Sequence, residues 1–137
     1  MSYVEQILPD DYKSRGGYTP AVKIDLGSTY MIMVSGLQAP QDNNNRVVTD
    51  DISEQVRMIY DQIIDILSPI GASLDDVVKS VVYLTDMDDF DKFSEVRNEY
   101  FKKRKPVSTL VEVNAMTRKG AKVEIEVTAI IRKEADS

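Results

Sequence analysis

Cysteine, histidine and tryptophan are all absent from this 137-residue chain. Without cysteine there is no thiol nucleophile, redox pair or thiolate zinc site, and without histidine no Ser-His-Asp triad and no imidazole ligand. The remaining reactive inventory is Asp, Glu, Tyr, Lys, Ser, Thr and the backbone. Glycine and proline number only 6 and 5, too few for a repetitive or linker-rich chain. No apolar run approaches the length that crosses a bilayer, and acidic residues stand near the N-terminus where a signal peptide would be basic and then apolar, so a cytoplasmic protein without membrane contact is expected. Base is also in short supply: 17 Lys+Arg face 23 Asp+Glu, and the net charge of −6 opposes nucleic-acid binding.

What is present suits one globular domain over 1–137, with 42% apolar and 29% charged residues and enough length for a real core. Residues 1–15 form a lead-in, with a short strand near Val4–Leu8, and 133–137 a tail. Val22–Leu26 alternates in the manner of a strand, and Gly27-Ser28 turns it into Tyr30–Val34 as a hairpin. Asp51-Ile52-Ser53-Glu54 resembles a capping box, and Ile52, Val56, Ile59, Ile63, Ile66, Leu67 and Ile70 follow a helical stripe that Gly71 closes. Val77–Thr85 is a strand. Phe90, Phe93, Val96, Arg97, Tyr100 and Phe101 outline a second helix, entered at Asp88 or Asp89, whose last turn holds Lys102-Lys103-Arg104-Lys105 before Pro106. Ser108–Val113 and Val123–Arg132 complete a final strand pair. The order ββ-α-β-α-ββ is that of an α/β (α+β) domain. Two helices cover one face of such a sheet, and Met31–Val34 and Val77–Leu84 are apolar on both faces, so a second subunit is expected over the other.

Chemistry centres on Val123-Glu124-Ile125-Glu126-Val127-Thr128-Ala129, whose alternation puts two carboxylates on one face. In a chain without His and Cys, carboxylates are the acid/base groups available near neutral pH. Polar residues on the open face of an antiparallel strand are also commonly just solvated, so the pattern alone leaves both roles open. The acidic run Asp86–Asp91 lacks the glycine turn and terminal Glu of a calcium loop and falls at a helix start, where Asp serves as a cap; no metal and no cofactor are expected.

Several segments, in order, resemble the RidA/YjgF family, also called L-PSP endoribonuclease-like. They are Gly16-Gly17-Tyr18, Val34-Ser35-Gly36 with Pro40, Ile70–Lys79, Tyr83–Phe90, Asn98–Phe101, Pro106 with Val111-Glu112-Val113, and Val123–Glu126. The resemblance spans Gly16 to about Arg132. It implies a chorismate-mutase-like fold, a homotrimer with sheets packed around a central core, and small-molecule sites in clefts between subunits. It further implies hydrolysis of enamines and imines to carbonyl compounds and ammonia, with Glu124 positioning water, Tyr18 in the pocket and Ser35-Gly36 at its edge. The family's carboxylate-binding arginine is missing: Pro106 and Val111-Glu112-Val113 fix the register, and that column holds Ser108. Ser94 occupies a column that often carries a pocket asparagine, and the segment from Ser35 to Pro40 is one residue longer than usual. A serine hydroxyl does not replace a charged bidentate fork. Arg15, Lys105 and Arg118 are candidate substitute cations. Two functions therefore stay open, an imine deaminase of altered substrate and a non-catalytic small-molecule-binding or regulatory trimer. Ribonuclease or translation-inhibitor activity, suggested by the family's older name, is disfavoured by the acidic charge and the lack of His.

Overall fold

The computed structural model describes residues 2–134; of the expected tail, 135–137 lie outside the described residues. Six strands form one sheet: β1 (Val4–Ile7), β2 (Ala21–Asp25), β3 (Thr29–Leu37), β4 (Val77–Leu84), β5 (Val107–Glu112) and β6 (Val123–Arg132). Helices α1 (Ile52–Leu67) and α2 (Phe90–Tyr100) pack on one face, giving a mixed α+β single domain. No helix among the described residues is long and apolar enough to cross a membrane.

Sheet order is β1-β2-β3-β6-β4-β5. The expected pairing of the last two strands does not form. β6 inserts antiparallel between β3 and β4, while β5 runs parallel to β4 at the edge. β6 is the strand with strict alternation, and Val123, Ile125, Val127 and Ala129 are all buried under the helices. A fully alternating strand gains most at the sheet centre, where both backbone edges are paired. β5 is largely exposed and suits an edge.

α1 buries Ile52, Val56, Ile59, Ile63, Ile66 and Leu67 of the stripe the sequence predicts, with Tyr60 beside them, whereas Ile70 falls beyond the helix and is half-buried. Asp51 caps it by accepting a hydrogen bond from Glu54 N. The second half of the expected capping box is absent, because the Glu54 carboxylate accepts from the Thr49 hydroxyl instead, at 2.6 Å. The helix ends at Leu67, and a short 3-10 turn over Ser68–Ile70 closes on Gly71, whose φ of +80° suits a residue without Cβ. α2 begins after Asp86 has capped a 3-10 turn over Met87–Asp89, which accounts for one carboxylate of the acidic run. It stops at Tyr100. The run Lys102–Lys105 thus lies in the loop beyond the helix, and Arg97 is the base of its last turn. Tyr60 packs tilted against Tyr100 and edge-to-face against Phe101 at ring-centroid distances of 5.0 and 5.4 Å, joining the helices.

Strand pairing sorts the sheet into two faces. Ile32, Val34, Ser80, Val82 and Leu84 point toward the helices, and Ser108 and Leu110, paired with Ser80 and Val82, share that side. Met31, Met33, Val81, Tyr83, Val107, Val111, Glu124 and Glu126 lie on the opposite, open face. That face exposes Met33, Val107 and Val111, with 70% exposure at Val107. It is not a continuous apolar patch, because Glu124, Glu126 and Thr128 run through its middle.

Candidate active site

Glu124 sits on the open face beside the β3 bulge, where the pairing with β6 shifts register between Val34 and Leu37. Its carboxylate lies close against Gly36. A Cβ on Gly36 would come within 2.6 Å of Glu124 Oε2 and 2.8 Å of its carboxyl carbon, so any side chain there would displace the acid. Gln38, only 7% exposed, fixes the other oxygen by donating from Nε2 to Glu124 Oε1 at 2.7 Å. The same nitrogen donates to Thr117 Oγ1, and Gln38 Oε1 accepts from Arg118 N at 3.1 Å. Arg118 then donates from Nη1 to the Ala39 carbonyl at 2.8 Å. The loop carrying Thr117 and Arg118 is anchored by buried Gln55 of α1, whose amide donates to the Thr49 and Gly120 carbonyls and accepts from Lys122 N.

Burial, and then neighbouring Arg15, shift the Arg118 guanidinium below its ordinary pKa, while Tyr18 and Glu124 act in the opposite sense. Even so, a guanidinium stays protonated throughout the physiological range. Glu124 therefore has a positive neighbour, and the half-exposed Tyr18 lies in the same electrostatic neighbourhood. Ser35 contributes indirectly. Its hydroxyl is spent on the Thr19 carbonyl at 2.7 Å and its N–H on Pro20 O, which ties the segment behind Tyr18 to β3. Two residues along β6, Glu126 accepts from the Tyr83 hydroxyl at 2.7 Å, and this hydrogen bond foremost raises the tyrosine pKa.

Ser94 and Ser108 lie elsewhere. Ser108 lines a cavity of about 350 Å³ under the C-terminal end of α2, together with Ser80, Arg97, Asn98, Phe101 and Lys105. Ser94 Oγ accepts from Arg97 Nη2 at 3.0 Å, at the edge of this group. Within one chain the sheet thus separates two clusters: Glu124, Tyr18, Ser35 and Gly36 with Arg118 and Arg15, and Ser94 and Ser108 with Lys105. The sequence reading missed Gln38 and Arg97. The extra residue between Ser35 and Pro40 is the visible signal for the first. For the second it is a cation set inside the apolar stripe of α2.

The family model described as endoribonuclease L-PSP matches residues 9–131. A RutC family protein of Pyrococcus abyssi is 42% identical over 123 residues, covering 89% of this chain and 91% of that protein. The human 2-iminobutanoate/2-iminopropanoate deaminase is 30% identical over 115 residues, 84% of this chain and 80% of its own. Among solved structures, E. coli TdcF with bound serine superposes with a TM-score of 0.73 at 28% identity, covering 93% of this chain and 95% of that one. Likeness over nearly the whole length, in sequence and in fold alike, carries the conclusion that this chain belongs to the endoribonuclease L-PSP family, the RidA/YjgF family its motifs resemble.

Proposed function

We propose that this protein hydrolyses enamines and imines, with Glu124 as the residue that positions water and takes its proton. The observation that carries this reading is the clamped carboxylate. Glu124 Oε1 is held by Gln38 while Oε2 lies over Gly36, on a half-exposed face where water has access. A carboxylate fixed by one strong hydrogen bond keeps its remaining lone pairs for a water molecule. As water oxygen bonds to the imine carbon, the C=N electron pair moves to nitrogen, and the proton taken by Glu124 passes to that nitrogen. The carbinolamine hydroxyl then gives its proton, through Glu124, to the nitrogen; the oxygen electron pair forms C=O as the C–N bond breaks, leaving a carbonyl compound and ammonia. The electrostatic interaction of Arg118 with both Glu124 and Tyr18 supports a polar substrate beside the acid.

The similarity to a 2-iminobutanoate/2-iminopropanoate deaminase supports the chemistry. Ser108 argues that the substrate differs. Loss of a guanidinium from a carboxylate site costs about 2–5 kcal/mol, roughly thirty- to several-thousand-fold in affinity. The same serine favours one other reading, a trimer that binds a small molecule without turning it over. In either case the assembly is a cytoplasmic homotrimer, in which Glu124 of one subunit meets the Ser108 cavity of the next. The exposed Met33, Val107 and Val111 fit such an interface.

Ammonia release from freshly generated imino acids of varied side chain tests the proposal. Turnover by the native protein that falls at least about 100-fold in Glu124→Gln is expected. Equal turnover in the two proteins would remove Glu124 from the reaction. A monomer in sedimentation would remove the shared cleft.

A further inference from the structure

Arg97 is a cation where the helical stripe calls for an apolar residue. It follows buried Val96 on α2, half-buried itself, with its guanidinium 5.4 Å from the Phe93 ring centroid and one nitrogen on Ser94 Oγ. Among the described residues it forms no ion pair, and neither does Lys105, whereas Arg57 on α1 pairs with Glu99 at 3.3 Å. Arg97 and Lys105 both line the 350 Å³ cavity that also holds Ser108. No carboxylate lines it. The remaining wall offers the hydroxyls of Ser80 and Ser108, the Asn98 amide and the apolar ring of Phe101.

A partly desolvated guanidinium without a counter-ion is unfavourable, and an anion entering beside it would restore the balance. The hydroxyls and amide add neutral donors, and Phe101 suits a short hydrocarbon chain. The small Ser108 side chain leaves this volume open. Arg97 reaches the same space from the helix above.

We propose that this cavity binds a small monocarboxylate, of the 2-oxo or 2-imino acid class, with Arg97 as the charged donor in place of a guanidinium at position 108. The identification of that acid as substrate rests on the deaminase reading; the binding itself does not. Arg97 then sets specificity, since a planar fork offered from the helix accepts the carboxylate in a different direction from one offered by β5.

Sodium 2-oxobutyrate and its neutral counterpart 2-butanone are titrated into the full-length protein and followed by amide chemical shifts. The acid binds at about millimolar concentration or tighter, with shifts centred on Asn98 and Ser108. Affinity falls at least about thirty-fold in Arg97→Gln and less in Arg97→Lys, while 2-butanone is indifferent to both changes. Lys105→Gln, on an exposed loop, weakens the acid selectively without touching the helix, and melting curves verify that each variant is folded. Unchanged affinity in Arg97→Gln, an equal loss for 2-butanone, or shifts confined to Gly36 and Glu124 would each overturn the proposal. Imine hydrolysis that needs Glu124 but keeps its KM in Arg97→Gln would overturn the cavity and spare the deaminase. Acid binding that needs Arg97 in a protein inert toward imines would do the reverse.

Discussion

Two polar clusters sit on opposite faces of one sheet and differ in how they are held. Glu124 is specified on both sides, by a 2.7 Å hydrogen bond from Gln38 and by a glycine that leaves no room for a side chain. The cavity at Ser108 is loosely built: among the described residues its two cations have no acidic partner within ion-pair distance, and Arg97 is tied down by Ser94 and the Phe93 ring. The first is organised for a fixed geometry, as chemistry on a positioned water requires. The second is organised for occupancy, because its charges are satisfied only when something enters. A clamped carboxylate and a cavity with unpaired cations, built by one chain, thus carry different structural signatures.

That contrast has a hierarchy of consequences. Glu124→Gln keeps the shape and removes the base, so turnover should drop by about two to four orders of magnitude with little change in melting temperature. Gly36→Ala should follow. The added methyl forces the carboxylate off its position, and a displacement of about 1 Å costs on the order of 100-fold in rate. Steady-state kinetics beside a melting curve separates this from unfolding, for which the overpacking is worth about 1–3 kcal/mol. Gln38→Ala leaves Glu124, Thr117 and the Arg118 N–H without their shared partner, and a loss of about 1–3 kcal/mol in denaturant unfolding is expected. A stability unchanged by Gln38→Ala would mean that the Glu124 cluster is as loosely held as the cavity.

Ser108→Arg acts on the other face. It should strengthen 2-oxobutyrate binding roughly tenfold or more, readable by calorimetry, and a double variant with Arg97→Gln would show whether the two guanidinia substitute for each other. The smallest effect is alkaline. Burial, then the hydrogen bond to Asp61, pushes Tyr100 up to about 12. Its folded pKa exceeds its unfolded one, so the stability it contributes is complete below pH ~10 and is lost as pH rises toward 12. Tyr100→Phe should flatten the fall in melting temperature across that window.

Much of the fold is legible in the sequence. The α1 stripe, the Asp51 cap, the Gly71 stop and the alternation of β6 follow from local spacing, and the ordered motifs pointed to the family. Gln38 was not legible as a partner of Glu124, because 86 residues separate the two in the chain. Arg97 could be placed on the buried stripe, yet the stripe says nothing of the cavity in front of it. By sequence the basic run before Pro106 reads as the last turn of α2, whereas the chain leaves the helix at Tyr100.

The sequence by itself determined the elements, their order, the family and the pairing of Glu124 with Glu126 on one face of β6. Periods of 2.0 and 3.6 residues are properties of the local backbone, and any chain with these side chains displays them. Only the tertiary structure decided that β6 enters between β3 and β4, that β5 runs parallel to β4, and that Ser108 and Glu124 therefore look in opposite directions. Alternation fixes which residues share a face; which strand lies alongside is set by long-range pairing and by where the most buried strand gains most from the core.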